Sequence, residues 1–256
     1  MIANASNIEV FKFETNDYFV FGSNTAGIHG AGSAQWARRF YGAKYGVGEG
    51  ICGSSYALPS VLAKGTRLDK MSWDEFIEHC NRFIDFARDN SAKRFWLTKV
   101  GCGLARFDEK SVSSFFLKAD LPPNILLPGV WLAKKETNLI RAVVAGSRKY
   151  VDKVRVFQSL DSYFQNNPGN IAIVSGDATG PDKFGKQYGL ERNIPVKLFP
   201  AQWNVYGNLA GFVRNNLMAI YGTVLFAYHM NNSSGTADMI KTSKREGLSV
   251  GEIMSI

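Results

Sequence analysis

Cysteine and histidine are both scarce in this sequence, with three of each among its 256 residues. The cysteines are Cys52, Cys80 and Cys102, an odd and sparse set that differs from the paired framework of small disulfide-rich secreted proteins. The histidines and cysteines also lack the spacings that hold zinc. We therefore expect no disulfide framework, no metal site and no bound cofactor, in a reducing environment.

Long apolar runs and a secretion signal are absent as well. No apolar run approaches the roughly 18 residues that a membrane-spanning helix needs. The N-terminal residues lack the basic stretch followed by an apolar stretch that forms a signal peptide. The sequence also lacks internal repeats and low-complexity tracts. These absences predict a soluble, cytoplasmic, globular protein with no membrane partner.

The charge is unbalanced but not concentrated in one region. Lys and Arg number 30 against 22 Asp and Glu, which gives a formal net charge of +8. Such an excess favours anionic ligands such as phosphates and permits loose contact with nucleic acid. Lys134 and Lys135 form only a pair, so no basic run marks an arm or patch. A small anionic ligand is therefore favoured over nucleic acid, and a homo-oligomer stays open.

Apolar periodicity predicts a mixture of helices and strands in the first half. The clearest helix is at 72–90, where Ser72 and Glu75 have the spacing of a capping box and apolar residues form a helical stripe. Further helices are predicted at 32–40 and 109–120, and strands at 18–21, 54–59, 94–100 and 123–128. The polar segment 133–138 is predicted to be an unstructured linker.

The second half alternates strand and helix more regularly. Strands are predicted at 139–146, 170–177, 194–200 and 223–229, and helices at 154–164, 181–193, 208–222 and 235–247. The strand segments are continuous apolar runs, which are typical of a parallel sheet covered by helices on both faces. We therefore predict an α/β protein with two domains, at residues 1–135 and 138–256.

A polar motif follows each of these four strands. The motifs are AGSR at 145–148, SGDATGPD at 175–182, FPAQW at 199–203 and HMNNSSGT at 229–236. In parallel sheets, ligands bind at the carboxyl ends of the strands. Four such motifs at successive strand ends predict one binding site.

Two glycine-rich loops follow predicted strands in the first half. They are FGSNTAGIHGAG at 21–32 and KVGCGLARF at 99–107. Glycine lets the backbone approach a ligand closely, and clustered N–H groups bind phosphate oxygens, so two such loops beside one crevice suit a diphosphate. The alternative is that the glycines only form turns.

Several residues of these loops have two interpretations. Asn24 either directs its amide into the crevice or stabilises its own turn. His29 is either a catalytic base or a hydrogen-bonding loop residue. Cys102 is either a reactive thiolate or a packed side chain. Phe107 either belongs to the core or stacks on a ligand ring.

The segments VFGSNTAGIHGAGSAQWA, YGVGEGICGSSYALP, LTKVGCGLARF and PNILLP, spread over residues 17–130, carry a family resemblance. The first half resembles the divergent macrodomains of phage and bacterial genomes, which implies a macro-like α/β/α fold and ADP-ribose binding. Asn24 falls where many macrodomains contact the distal ribose. The loop reads TAGIHGAG instead of carrying consecutive glycines after the asparagine, so hydrolysis stays open. The resemblance and the loops together give these site residues: Asn24 and His29 as catalytic candidates, and Gly22, Ser23, Gly30, Ala31, Gly32, Gly101, Cys102, Gly103, Leu104, Ala105 and Phe107 as ligand contacts.

The second half looks like a SLOG-family domain of the YspA-like type over residues 139–247. The motifs that carry the resemblance are AGSR, SGDATGPD, WNVYGNLAGFVRN at 203–215 and SSGTADMI at 233–240. It implies a Rossmann-like sheet that binds a nucleotide or a nucleotide-derived ligand. Some relatives cleave nucleoside monophosphates with a PGGxGTxxE motif. Here the only carboxylate near that position is Asp238, so this activity is not implied.

Residue chemistry assigns roles within these motifs. Arg148 is a candidate phosphate clamp. Asp182 either holds a ribose hydroxyl, which makes it a catalytic candidate, or serves the first turn of its helix. Arg214 either contacts the ligand or lies on a solvated helix face. The predicted ligand contacts are Gly146, Ser147, Arg148, Gly176, Asp177, Trp203, Arg214, Asn215, Ser234, Gly235 and Thr236.

Both resemblances imply the same class of ligand. We therefore expect a protein that binds ADP-ribose or another NAD-derived nucleotide, in the setting of phage–host conflict. If it is an enzyme, we expect a hydrolase of an ADP-ribosyl, N-glycosidic or phosphate linkage. The alternative is a nucleic-acid-associated protein that acts on ADP-ribosylated or nucleotide ends.

Overall fold

The computed structural model describes residues 7–64, 67–230 and 233–255. The chain forms two compact units. The N-terminal unit is Phe13–Trp131, and the C-terminal unit combines the chain from Leu132 onward with the residues up to Lys12. Within the described ranges, no helix is both long enough and apolar enough to cross a membrane.

The N-terminal unit is a mixed sheet with helices. Its strands are β2 (Asp17–Asn24), β3 (Gly50–Ile51), β4 (Ser55–Lys64), β5 (Arg67–Lys70), β6 (Arg94–Leu97) and β7 (Ile125–Leu126). The order is β3-β4-β2-β6-β7, and β5 also pairs with β4. Strands β4, β2, β6 and β7 are parallel, whereas β3 and β5 run antiparallel to β4. The helices are α1 (Gly32–Phe40), α2 (Trp73–Asp89), α3 (Glu109–Lys118) and α4 (Gly129–Lys135), the last of which continues into the C-terminal unit.

Helix α2 begins and packs as its sequence predicts. The Ser72 side chain accepts from the Glu75 N–H, and the Glu75 carboxylate accepts from the Ser72 N–H, which completes the capping box. The stripe buries Phe76, Cys80 and Phe83 in the core of this unit. Burial raises the pKa of the Cys80 thiol far above its ordinary value, so this cysteine is a packing residue.

The C-terminal unit is a parallel sheet, as the alternating pattern predicts. Its strands are β1 (Ile8–Val10), β8 (Leu139–Gly146), β9 (Asn170–Ser175), β10 (Val196–Leu198), β11 (Val224–His229) and β12 (Ser249–Ser255). The order is β1-β10-β9-β8-β11-β12, with every neighbouring pair parallel. The helices are α5 (Lys153–Asn166), α6 (Pro181–Glu191), α7 (Trp203–Tyr206), α8 (Ala210–Tyr221) and α9 (Ser234–Glu246). The α/β class with a Rossmann-like parallel sheet is confirmed.

The strand order reverses beside β8. The chain runs from β8 outward through β9 and β10, and then returns to place β11 on the other side of β8. Helix α5 packs with α6, and α8 packs with α9. In such open sheets the reversal opens a crevice at the carboxyl ends of the two central strands, here β8 and β11.

Three features differ from the sequence-based expectations. The segment 133–138 is not wholly unstructured, because α4 extends to Lys135 and the Glu136 N–H still donates to Leu132 O. Strand β1, assigned to the first domain, pairs with β10 of the C-terminal sheet. The helix expected at 208–222 is α8, which begins two residues later, at Ala210, and is preceded by the short helix α7 and a 3-10 turn at Gly207–Leu209 that were not predicted.

Candidate functional site

A cavity of about 570 Å³ opens at the carboxyl ends of β8 and β11 in the C-terminal unit. Residues from all four strand-end motifs line it. The predicted site residues that line the cavity are Gly146, Ser147, Arg148, Asp182, Trp203, Arg214, Asn215, Ser234, Gly235 and Thr236. Gly176 and Asp177 do not line it. Asn231 and Asn232 of the last motif lie outside the described residues.

Asp182 joins the loops after β8 and β9. It is buried at the start of α6, where one carboxylate oxygen accepts from the Gly146 N–H at 3.2 Å and the other from Arg214 Nη1 at 3.3 Å. Burial raises the pKa of Asp182 above its ordinary value, while the Arg214 charge and the Gly146 N–H act in the opposite direction. Gly146 must be small here, because an added Cβ would lie 2.4 Å from a Pro181 carbon. The Asp182 carboxylate is therefore engaged by the chain itself.

Arg214 lies in the interior of the site and not on a solvated helix face. Its side chain is 15% exposed, and Nη1 donates to Gly176 O at 2.9 Å. Its Nε donates to Asn215 Oδ1 at 3.0 Å. Asp177, which has a left-handed backbone with φ of 54°, forms an ion pair with Lys186 at 3.1 Å. Gly176 therefore contacts the lining residue Arg214 without lining the cavity itself, and Asp177 pairs with Lys186 outside the lining.

Asn215 connects α8 to the start of α9. Its Nδ2 donates to Gly235 O at 3.0 Å and to Asp238 Oδ2 at 2.9 Å. Burial raises the pKa of Asp238, and the Asn215 hydrogen bond partly offsets that effect. Asp238 is not among the residues that line the cavity, and its role here is to hold the Asn215 amide.

The loop after β11 presents the N-terminus of α9 to the cavity. Ser233, which precedes the helix, makes no capping bond with its side chain; its Oγ lies 2.8 Å from Thr236 Oγ1 instead. The first residues of α9, Ser234–Thr236, line the cavity. First-turn N–H groups and the helix dipole favour an anion at such a position.

Two basic side chains on the loop after β8 line the same cavity. Arg148 and Lys149 line the cavity with exposed side chains, and neither forms a hydrogen bond or ion pair with another residue of the described ranges. Among the described lining residues Asp182 is the only acid, and both of its oxygens are already bound. The electrostatics of the cavity therefore favour an anionic ligand.

Ser147 ties the two central loops together. Its N–H donates to Tyr228 O at 2.9 Å, and its Oγ accepts from the Met230 N–H at 2.8 Å. Ser147 is 4% exposed, so its contacts position the loop that carries Arg148. In this structure Ser147 links the carboxyl ends of β8 and β11 by hydrogen bonds.

In the N-terminal unit, Asn24 is directed into its own loop. It is the last residue of β2 and is 6% exposed. Its Nδ2 donates to Ile28 O at 2.7 Å, and its Oδ1 accepts from the Ile28 N–H at 3.0 Å. This geometry favours the interpretation that Asn24 stabilises its own turn.

His29 is fully buried. Its ring is edge-on to Phe21 with ring centroids 5.0 Å apart, and it is parallel to the Tyr45 ring with centroids 6.1 Å apart. Burial lowers the pKa of His29, while the backbone of Lys44 and Val47 acts in the opposite direction. A buried imidazole with a lowered pKa is neutral at physiological pH. Its position favours a structural role over that of a catalytic base.

The structure brings the two glycine loops of this unit side by side. A Cβ built on Gly22 would lie 3.5 Å from the Gly101 nitrogen, whereas Gly30, Gly32 and Gly103 have no heavy atom within 4 Å of a built Cβ. Ala31 is exposed between two of these open glycines, at the start of α1. Open backbone at two adjacent loops is what a phosphate-binding surface requires.

The remaining predicted contacts of this unit differ in their availability. Phe107 stacks on Phe76 with ring centroids 4.6 Å apart, so one face of its ring is occupied by the chain. Cys102 is half-buried and Leu104 is 72% exposed. Two further residues, Ser23 and Ala105, are buried, and the Ser23 hydroxyl donates to Gly48 O.

Sequence reasoning missed part of the cavity lining. Lys149, Asn208, Phe212, Met230 and Met239 line the cavity and were not predicted as site residues. Lys149 directly follows the AGSR motif, and a search for basic residues beside that motif would have found it. The apolar members share the periodicity of core residues, so the pattern alone does not separate them from the core.

Comparison with known families finds a match in the C-terminal unit. Residues 140–206 match the family model described as "YAcAr: YspA, cpYpsA-related SLOG family". The match begins in β8 and ends with α7, so it includes the loops after β8, β9 and β10. The SLOG resemblance is supported over these residues, and the macrodomain resemblance of the first half stays a prediction.

Two individual proteins are also similar to this chain. The Gene 61 protein of Mycobacterium phage D29 is 28% identical over 116 residues, which cover 43% of this chain and 93% of that protein. DNA processing protein A (DprA) from Streptococcus pneumoniae is similar in structure at a TM-score of 0.38 and 15% identity, over 57% of this chain and 66% of that chain. At that TM-score and identity we infer nothing further from the structural likeness.

Proposed function

We propose that the cavity at the carboxyl ends of β8 and β11 binds a phosphorylated nucleotide. The observation that carries this proposal is that Arg148 and Lys149, which have no partner among the described residues, share one cavity with the uncapped start of α9 at Ser234–Thr236. Guanidinium, ammonium and first-turn N–H groups all bind phosphate oxygens. A cavity of about 570 Å³ lies within the roughly 300–1,000 Å³ range of small-molecule sites.

We further propose that the ligand is ADP-ribose or another NAD-derived nucleotide. We propose that the N-terminal unit binds the same class of ligand at its own loops, because Gly30, Gly32 and Gly103 leave open backbone where a macrodomain-like loop would meet a diphosphate. A protein of Mycobacterium phage D29 is 28% identical to this chain over 116 residues, and we propose a phage–host setting for this binding. In that setting the chain would sequester or sense a nucleotide signal.

The proposal for the C-terminal cavity is binding without bond cleavage. Asp182 is held by Gly146 and Arg214, and Asp238 is held by Asn215. A general base must reach the proton that it abstracts, and both carboxylates are instead committed to internal hydrogen bonds. These contacts support positioning roles for the two residues.

Calorimetry on the full chain tests the proposal. Arg148→Ala is expected to weaken ADP-ribose binding by about 1.5–3 kcal/mol, the range of a hydrogen bond to a charged group. Lys183→Ala is the matched control, because it removes the same charge from an exposed residue of α6 that does not line the cavity. Equal affinities for the wild type and both variants would contradict the proposal.

The ionic strength of the same titration distinguishes the alternative function. A ligand bound by nucleic-acid-type contacts loses affinity steeply as salt rises, because counterions are released from many phosphates. We expect a shallow salt dependence for ADP-ribose and no tight binding of single- or double-stranded DNA or RNA. Tight, salt-sensitive nucleic-acid binding that Arg148→Ala weakens would favour the alternative.

A further inference from the structure

Trp203 differs from the other tryptophans of this chain in having neither an aromatic partner nor a side-chain hydrogen bond among the described residues. Trp36, Trp73 and Trp131 each pack against another aromatic ring, and Trp96 donates a hydrogen bond to Asp17. Trp203 forms no aromatic contact and no side-chain hydrogen bond with a residue in the described part of the chain, and it is 51% exposed. An indole is a large apolar surface, so leaving half of it in water is unfavourable.

The segment around Trp203 does not fix the indole by core packing. Helix α7 has four residues and none of them is buried. It is followed by Gly207, which has a φ of +49° and no heavy atom within 4 Å of a built Cβ. The segment lies on the loop after β10, at the same carboxyl edge of the sheet as Arg148. The Trp203 indole therefore borders the cavity without being buried in the core.

The Trp203 indole lies beside the start of α8, where position 211 is a glycine. A Cβ built on Gly211 would meet Trp203 Cη2 at 3.9 Å, and both residues line the cavity together with Phe212. This side of the cavity offers aromatic surface, whereas Arg148 and Lys149 offer charge. One cavity thus combines a surface suited to a flat ring with groups suited to a phosphate.

We infer that Trp203 stacks on the aromatic ring of the ligand, and that the cavity therefore selects a nucleobase-containing phosphate over a sugar phosphate without a base. This inference rests on the proposed function and names the residue that sets its specificity. Stacking on the face of an indole is available to every base, because each has a π-face. The phosphate contacts supply affinity that both kinds of ligand share.

The experiment titrates AMP and ribose 5-phosphate into the full chain. These two probes carry the same ribose phosphate and differ by the base. Trp203→Ala is expected to weaken AMP binding by roughly tenfold, within the range measured for base–aromatic stacking, and to leave ribose 5-phosphate unchanged. Trp203→Phe keeps a ring at the site, so its AMP affinity is expected to stay within about threefold of the wild type.

Two further variants separate the roles of the cavity. Val205→Ala is the matched control, because Val205 is an exposed apolar residue of the same helix, 65% exposed, that does not line the cavity. It is expected to bind both probes like the wild type. Arg148→Ala is expected to weaken both probes together, which distinguishes loss of phosphate binding from loss of ring binding.

The outcomes separate failure of this inference from failure of the proposed function. If both probes bind, Arg148→Ala weakens both and Trp203→Ala changes neither, the phosphate site stands and the ring assignment is wrong. That result would also fit an indole that docks a macromolecule. A Trp203→Ala change that weakens ribose 5-phosphate as much as AMP would overturn the ring assignment too. If neither probe binds the wild type, this inference fails, and the ADP-ribose titration decides the proposed function separately.

Discussion

The Arg214 guanidinium fills the space that a side chain at Gly176 would occupy, because a Cβ built on Gly176 would lie 1.6 Å from Arg214 Nη1. The absence of a side chain at Gly176 lets the guanidinium reach Gly176 O at 2.9 Å and Asp182 Oδ1 at 3.3 Å. This arrangement links the loop after β9 to α8. It also holds the largely buried Arg214 guanidinium at the cavity lining. Arg214 therefore depends on a glycine that does not itself line the cavity.

Gly176→Ala is expected to displace the Arg214 guanidinium from both acceptors. Losing hydrogen bonds to a charged group costs about 1.5–3 kcal/mol, so the free energy of unfolding should fall by that amount. Gly235→Ala is the control, since no heavy atom lies within 4 Å of a Cβ at that glycine. Urea unfolding measures both variants, and equal stability of Gly176→Ala and Gly235→Ala would show that the close approach carries no energy.

The pH dependence of stability should reveal the buried Asp182 carboxyl. Burial raises its pKa in the folded state, so the folded protein binds this proton more tightly than the unfolded chain does. The stability from that proton is fully present below the ordinary Asp pKa of about 3.9 and is lost as pH rises through the raised value.

Asp182→Asn does not titrate and serves as the reference for this measurement. The stability of the wild type relative to Asp182→Asn is expected to decrease as pH rises from about 4 upward. Urea unfolding at a series of pH values measures the difference. An increase with pH would mean that attraction to Arg214 outweighs burial and lowers the pKa instead.

Asn24 is expected to contribute to stability through its loop. Both atoms of its amide are bonded to the Ile28 backbone, so Asn24→Ala should cost about 1–3 kcal/mol of unfolding free energy. Asn24→Asp keeps the acceptor for the Ile28 N–H but places a carboxylate oxygen against Ile28 O at a buried position, so a loss at least as large is expected. Thermal and urea unfolding check this, and wild-type stability of Asn24→Ala would favour an amide directed at a ligand.

Ser147 is expected to hold the loops after β8 and β11 together. Ser147→Ala leaves the Met230 N–H without its acceptor at 2.8 Å, which should cost about 1–3 kcal/mol. Ser162→Ala, at an exposed position of α5, is the control and should be close to neutral. Equal unfolding free energies for the two variants would remove Ser147 from the account of how the cavity is held open.

The sequence predicted the central strands well because these strands are continuous apolar runs. The segment 139–146 coincides with β8, whose residues Ala142, Val143 and Val144 are fully buried. Edge strands were missed for the opposite reason. Strand β12 carries Gly251 and has no fully buried position, and β1 has three residues, so neither shows a strand pattern.

The site was predicted in position but not in its internal contacts. Strand-end motifs locate loops at one edge of a parallel sheet, and ten of the predicted residues line the cavity. Which side chain meets which depends on tertiary packing: nothing in the local sequence indicates that Gly176 makes room for Arg214. The direction of the Asn24 amide was equally inaccessible, because a loop asparagine can serve its own turn or a ligand.

Hydrogen–deuterium exchange of the full chain with and without ADP-ribose tests the central claim most directly. A phosphate held by the first turn of α9 and the loop after β8 should slow amide exchange in peptides that cover residues 146–149 and 233–237. Peptides of α5, which contributes no residue to the cavity lining, should exchange at the same rate with and without ADP-ribose. Slowed exchange at these two loops, lost in Arg148→Ala, is the predicted result. Unchanged exchange at both loops at saturating ADP-ribose would contradict the claim that this cavity is the nucleotide site.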